Sequence, residues 1–184
     1  MDFDAGMNIT IWEISQSNIQ DANRCDGGFI VNAQLVLSAE NGQIHYTIVN
    51  IPPYEKRYPL DEIDFETYIG NPEKTAFFAY VDSNIAGQVR LCRWWNQYAY
   101  IEDIVVDRKY RRQGVGRALI QQAIQWASEK DFPGIMLETQ SNNLGGCMLY
   151  ESCGFKLGGF DRYLYQGINP GTIEIALYWY YEIK

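Results

Sequence analysis

Histidine is nearly absent: His45 is the only one in 184 residues. Ser-His-Asp and Cys-His triads are excluded unless that residue serves, and a zinc site would lack nitrogen ligands, so no metal is expected. The surroundings of His45 read as a hairpin strand on which the imidazole is solvated. Cysteine is sparse as well. Cys25, Cys92, Cys147 and Cys153 show no C-x-x-C spacing, and the acidic start MDFDAGMN lacks the basic and apolar regions of a signal peptide. Reduced thiols in a cytoplasmic protein are the simplest reading. Met1 to Gly6, ahead of Met7, read as an alternative start or an added remnant. No apolar run approaches the roughly 18 residues of a membrane helix, so no membrane partner is expected. Positive charge is the scarcer sign: 15 Lys and Arg stand against 23 Asp and Glu, a net charge of −8. Duplex binding rests on many phosphate contacts, which argues against a nucleic-acid partner.

What is present suffices for a core. A chain of this length buries roughly 70% of its unfolded surface, and 47% hydrophobic with 15% aromatic content supplies the material. The length fits one domain over 1–184, with no repeats, low-complexity tracts or linkers. The charge is unevenly placed. Residues 1–92 carry 13 acids and 5 bases, whereas 93–184 carry 10 of each. Half of the later bases, Arg108, Lys109, Arg111, Arg112 and Arg117, crowd into one stretch. Such a knot suits a small anionic group, and the acidic remainder suits a cationic partner.

Alternating patterns predict strands over Asn8 to Ile14, Phe29 to Leu37 and Ile44 to Asn50, the last two joined by an Asn-Gly turn at Glu40 to Gln43. Ile51-Pro52-Pro53-Tyr54 should break the sheet. A short acidic helix is expected over Leu60 to Ile69, with Ile63, Phe65 and Tyr68 inward. Thr75 to Val81, Ala86 to Trp95 and Tyr98 to Val106 read as an antiparallel meander. After Gly114 the period becomes helical, with Val115, Leu119, Ala123 and Trp126 or Ala127 on one face. A strand over Ile135 to Thr139, a helix over Leu144 to Cys153 stopped by Gly154, and strands over Phe155 to Tyr165 and Ile173 to Ile183 complete the chain. The crossover through the main helix requires at least one parallel pair in an otherwise antiparallel sheet.

The chemistry concentrates in Tyr98 to Ile120, YAYIEDIVVDRKYRRQGVGRALI: a strand, a basic glycine-containing turn, and a helix start. Gly114 and Gly116 let the backbone bend and approach a ligand. The unpaired N–H groups of the first helical turn, with the positive end of the dipole, make a pyrophosphate cradle. A dinucleotide G-x-G-x-x-G fails at Leu119, and no G-x-x-x-x-G-K-[ST] occurs. Strand alternation places Glu102 on one face with Tyr100 and Ile104, and Asp103 on the other.

Arg111-x-x-Gly114-x-Gly116 resembles the acetyl-CoA pyrophosphate loop of the GCN5-related N-acetyltransferase (GNAT) superfamily. Asn143 to Phe155, NLGGCMLYESCGF, resembles that superfamily's other motif, an asparagine followed seven residues later by tyrosine and then by Gly-Phe. From Leu137 onward the likeness narrows to the streptothricin acetyltransferases, carried by LETQSNN, Cys147, Leu149-Tyr150, Cys153-Gly154-Phe155, Leu157-Gly158-Gly159, Asp161, Glu174 and Tyr178-Trp179-Tyr180.

The resemblance implies a mixed α/β (α+β) fold: a mostly antiparallel central sheet with one parallel pair splayed at the cofactor site, flanked by helices. It implies acetyl-CoA as cosubstrate, held by Ile104, Val105, Val106, Arg111, Arg112, Gln113, Gly114, Val115, Gly116, Arg117 and Asn143. Glu102 would be the water-relayed base and Tyr150 the general acid, with Asp103 in reserve. The acceptor would be a streptothricin-like cationic amine touched by Glu138, Asp161, Glu174, Tyr178 and Trp179, and steered by Asp61, Glu62, Asp64 and Glu66. A homodimer is compatible with this pattern. Two alternatives stay open: a related acetyltransferase for a polyamine, another amino antibiotic or a protein amine, and a silent acyl-CoA sensor. Retention of Glu102 and Tyr150 beside the loop speaks against the sensor.

Overall fold

The structure, a computed structural model, describes residues 8–59 and 62–183; Asp61 and Met1 to Gly6 lie outside the described residues. Strand β1 (Ile9–Glu13) is followed by a hairpin of β2 (Phe29–Glu40) and β3 (Gln43–Lys56), and by the meander β4 (Lys74–Val81), β5 (Asn84–Arg93) and β6 (Ala99–Val106). Helix α1 (Val115–Glu129), β7 (Gly134–Gln140), α2 (Leu144–Ser152), β8 (Lys156–Asp161) and β9 (Ala176–Glu182) complete the order. Seven strands form one sheet, β1-β4-β5-β6-β7-β9-β8, with β2 and β3 a separate pair. Only β6 and β7 run parallel among these neighbours, because α1 carries the chain across between them. The mixed α/β architecture expected from the sequence is the one observed.

Both helices cover one face. Val115, Leu119, Ile120, Ala123, Trp126 and Ala127 of α1 are buried there, with Cys147 and Tyr150 of α2. They meet inward residues of every second strand position, among them Val89, Leu91, Ile101, Ile135, Leu137, Leu177 and Trp179. The hairpin adds Leu35 to this core, tied to the sheet by Leu35 N–H donating to the Ser141 carbonyl at 2.8 Å. A smaller cluster, Ile14, Phe65, Tyr68, Ala76 and Phe78, lies on the other face.

Three expectations are corrected. β3 runs straight through Pro52 and Pro53; the register shifts between Val31 and Ala33, so the prolines bulge out of the ladder rather than end it. The acidic helix reduces to a single 3-10 turn over Phe65–Tyr68, capped by Asp64, whose side chain accepts from Glu66 N–H. So short a segment cannot repay helix nucleation. The late strands are shorter than their patterns suggest, because Asp161 accepts from Tyr163 and Leu164 N–H at 2.7 and 3.1 Å and turns the chain into a 3-10 segment, Leu164–Gly167.

Candidate active site

The parallel pairing of β6 and β7 spans only Ala99 to Ile101 against Ile135 to Leu137. Beyond it β6 stays on β5 alone, and the register with β5 shifts between Arg90 and Leu91, leaving Glu102 as the extra residue of a bulge. The strands therefore part at Glu102. Ile104, Val105 and Val106 follow with no ladder partner on the β7 side.

The bulge also corrects the expected alternation. Ile104 turns toward the helix-covered core with Ile101. Glu102 and Asp103 share the opposite face. Glu102 receives a 2.7 Å hydrogen bond from the Tyr68 hydroxyl, Arg90 donates to the same hydroxyl at 3.2 Å, and the Arg90 guanidinium lies 4.0 Å from Glu102. Gln88 donates to Asp103 at 3.2 Å. Burial and the neighbouring carboxylate push the Tyr68 phenol up to about 12, so it stays a donor. Tyr68 and Arg90 escaped sequence reasoning. Arg90 carried a signal, a charged residue in an apolar strand; Tyr68 carried none.

The basic turn follows. Arg112 and Gly114 both take left-handed backbone, φ 63° and 89°, and Gly114 caps α1 with no side-chain bond. The first intrahelical bond of the turn is Ala118 N–H to the Gly114 carbonyl, so the N–H groups of Val115, Gly116 and Arg117 point out of the helix start. Val115 itself is buried and offers only its backbone. Arg111 does not project: its guanidinium donates to the carbonyls of Val106 and Gly27 at 3.1 and 3.0 Å, and burial lowers its pKa. Gln113 donates to the Lys109 carbonyl. Arg117 reaches Ser152 at the end of α2. Arg112 is exposed and makes no tie of this kind. Backbone N–H groups, one free guanidinium and the opening beside β6 thus fit a pyrophosphate and its pantetheine arm.

Asn143 caps α2, accepting from Gly146 N–H at 3.0 Å and donating to Thr139 at 3.2 Å. The other end closes on Gly154, φ 93°, with Gly154 N–H to the Glu151 carbonyl and Phe155 N–H to the Tyr150 carbonyl, both 3.0 Å. Phe155 packs its ring on Tyr150 at 6.1 Å. The Gly-Phe pair therefore fixes the tyrosine. Burial pushes the Tyr150 phenol well above its ordinary range, and the charges of Asp103 and Glu138 reach it.

The remaining predicted contacts separate. Glu138 of β7 and its cross-strand partner Tyr178 of β9 lie on the Glu102 face of the sheet. Burial pushes Glu138 up to about 7, with Lys56 pulling the other way. Glu174 pairs with Lys56 and accepts from Asn142 at 2.9 Å. Asp161 is occupied by its turn. Trp179 is corrected: it points to the core, 1% exposed, with its ring 6.3 Å from Tyr150, so it presents no face to a substrate. Strand alternation sends Tyr178 and Trp179 opposite ways. Glu62, Asp64 and Glu66 are exposed, at and just before the single 3-10 turn.

A sequence profile of the acetyltransferase (GNAT) family matches residues 43–155. The chain belongs to this family. Streptothricin acetyltransferase A of Bacillus subtilis is 39% identical over 173 residues, covering 94% of this chain and 99% of that one. A Bacillus anthracis protein, provisionally named a streptothricin acetyltransferase and solved with acetyl coenzyme A, is 44% identical, with a TM-score of 0.89 and 97% and 99% coverage. Nourseothricin acetyltransferase is 28% identical, with a TM-score of 0.79 and 96% and 99% coverage. As a GNAT acetyltransferase the chain is an enzyme that takes acetyl-CoA as acyl donor. Among the described residues, no helix is long and apolar enough to cross a membrane.

Proposed function

We propose that this enzyme acetylates the β-lysine amine of streptothricin, in the cytoplasm, by direct transfer. The observation that carries the mechanism is the parting of β6 from β7 at the Glu102 bulge, which sets a carboxylate at the mouth of an opening beside the basic turn. The substrate assignment rests on the named relatives and on the acids of the same face.

Acetyl-CoA, when bound, supplies a thioester already activated for attack. The acceptor is the harder problem, because an alkylamine with pKa about 10.4 is almost wholly protonated at neutral pH. Glu102, through an ordered water, takes that proton. The Tyr68 hydroxyl, itself held by Arg90, fixes one carboxylate oxygen, Oε2, and the Cys92 side chain adds a hydrogen bond to the same group. The unpaired N–H groups of β6 between Ile104 and Val106 polarise the carbonyl under attack. Tyr150 donates to the leaving sulfur. A phenol of about 10 against a thiol of about 8.5 makes this transfer mildly uphill, and it proceeds because the charge on sulfur is hydrogen-bonded as it develops. The turn around Gly114 and Arg112 receives the pyrophosphate.

The test incubates the protein with acetyl-CoA and a panel of streptothricin, spermidine, aminoglycosides and peptide amines, following thiol release and product mass. Acetylation of streptothricin on its β-lysine, and of little else, supports the reading. Preferred turnover of another amine replaces the substrate, and tight CoA binding without thiol release for any amine replaces the activity with a sensor.

A further inference from the structure

Four residues from separate segments converge on the substrate face without a role in proton transfer. Glu138 lies on β7, Tyr178 opposite it on β9, Tyr100 on β6 and Tyr58 just past β3. Tyr178 is the cross-strand partner of Glu138, Tyr100 pairs with Met136 two residues before it, and the Tyr58 hydroxyl donates to Gln140 two residues after it. One of its oxygens, Oε1, is sealed from solvent with no hydrogen-bond partner. A buried acceptor left unmet is costly, and a ligand that brings donors relieves the cost.

The local charges leave Glu138 over. Two carboxylates, Glu138 and Glu174, share the region with Lys56. Lys56 is already paired with Glu174, which Asn142 also engages, and Asn142 in turn donates to Tyr54 at 2.8 Å. The position of the site follows from the strand register: Tyr100 pairs with Met136 in the parallel ladder, and Glu102 and Glu138 each lie two residues further along β6 and β7 on the same face, where the strands part. A short aliphatic chain can cross between two such neighbouring strands. The Tyr58 ring already lies under the Lys56 ammonium, 5.1 Å from its centre, and Tyr100 stacks on Trp94 at 4.5 Å. Tyr100 and Tyr178 beside the carboxylate suit a further ammonium, by cation-π attraction and ion pairing together.

We propose that Glu138, flanked by Tyr100 and Tyr178, is a second ammonium subsite that selects diamine acceptors, holding one amine while the other is presented to Glu102. The assignment rests on the acetyltransferase reading for its orientation, though the subsite itself binds without turnover. Cation binding there releases any proton on Glu138, so affinity rises as pH passes through the neutral range. The charged and titratable neighbours in that balance are Lys56, Glu174, Tyr58, Tyr100 and Tyr178.

The deciding experiment compares cadaverine with n-pentylamine, equal in carbon number and differing in one ammonium. Each is titrated into the protein bearing 13C-labelled glutamate carboxyls, with desulfo-CoA present; the Glu138 signal is the one missing from Glu138→Gln. Cadaverine should shift that signal and bind at least about tenfold more tightly than pentylamine, and Glu138→Gln should erase the preference. With streptothricin as substrate, Glu138→Gln should raise KM about tenfold or more, while kcat falls little. Glu138→Asp should recover part of the selectivity. Equal binding of the two amines by the wild-type protein, or an unmoved Glu138 signal, overturns the subsite. Absence of acetyl transfer with every amine overturns the functional reading, and the titration still decides the subsite.

Discussion

The hydroxyl of Tyr68 donates to Glu102 Oε2 at 2.7 Å, across the face of the sheet opposite the helices. Because Glu102 is the unpaired residue of a bulge, backbone pairing does not fix its side chain. The tyrosine, itself held by Arg90 at 3.2 Å, does so. Tyr68→Phe should lower kcat about tenfold, the worth of a hydrogen bond to a charged group. Acetyl-CoA affinity should be unchanged by calorimetry, since Tyr68 lies off the pyrophosphate turn. An equal fall in cofactor affinity would mean that the turn, not Glu102, depends on this residue.

Tyr150→Phe keeps the ring that packs against Phe155 and Trp179 and removes only the oxygen. Thermal stability should therefore stay within a few degrees, while turnover drops about a hundredfold, as for loss of a general acid. Acetyl-CoA affinity should hold. If turnover survives, another donor protonates the sulfur.

Arg111 and Arg112 are neighbours with separable tasks. Arg111 ties the turn to the Val106 and Gly27 carbonyls, so Arg111→Ala should cost about 2 kcal/mol of stability as well as cofactor affinity. Arg112 is exposed and makes no such tie. Arg112→Ala should weaken acetyl-CoA severalfold with no change in Tm, and the deficit should shrink at high salt. Chemical denaturation and calorimetry at two ionic strengths separate them.

Much of this arrangement was legible in the sequence, because it follows from local rules. The 3.6-residue period placed α1, and the glycines marked both its start and the end of α2. What escaped depends on events that a pattern does not encode. The bulge at Glu102 adds one residue to a ladder and turns Asp103 to the face of Glu102; a strict period of two cannot show it. Arg111 fits a phosphate motif, yet its guanidinium is spent on carbonyls 5 and 84 residues away in sequence. Tyr178 and Trp179 belong to one aromatic run, and only the register of β9 decides which faces the substrate.

Glu138 also predicts how stability varies with pH. Its carboxyl is pushed up to about 7 from 4.5, burial being the main cause. In the folded state it therefore holds a proton that the unfolded chain has lost between those values. Its contribution is fully present below about pH 4.5 and declines as pH rises through 7. The gap converts to at most about 3 kcal/mol, and partial exposure of the side chain reduces it to about 1 to 2 kcal/mol. Glu138→Gln, neutral at every pH, should match the wild-type protein near pH 5 and exceed its stability by about that amount at pH 8. Urea unfolding at the two pH values measures the difference. A variant no more stable at pH 8 would show that the wild-type carboxylate ionises at no cost, and so already has a cationic partner within the fold.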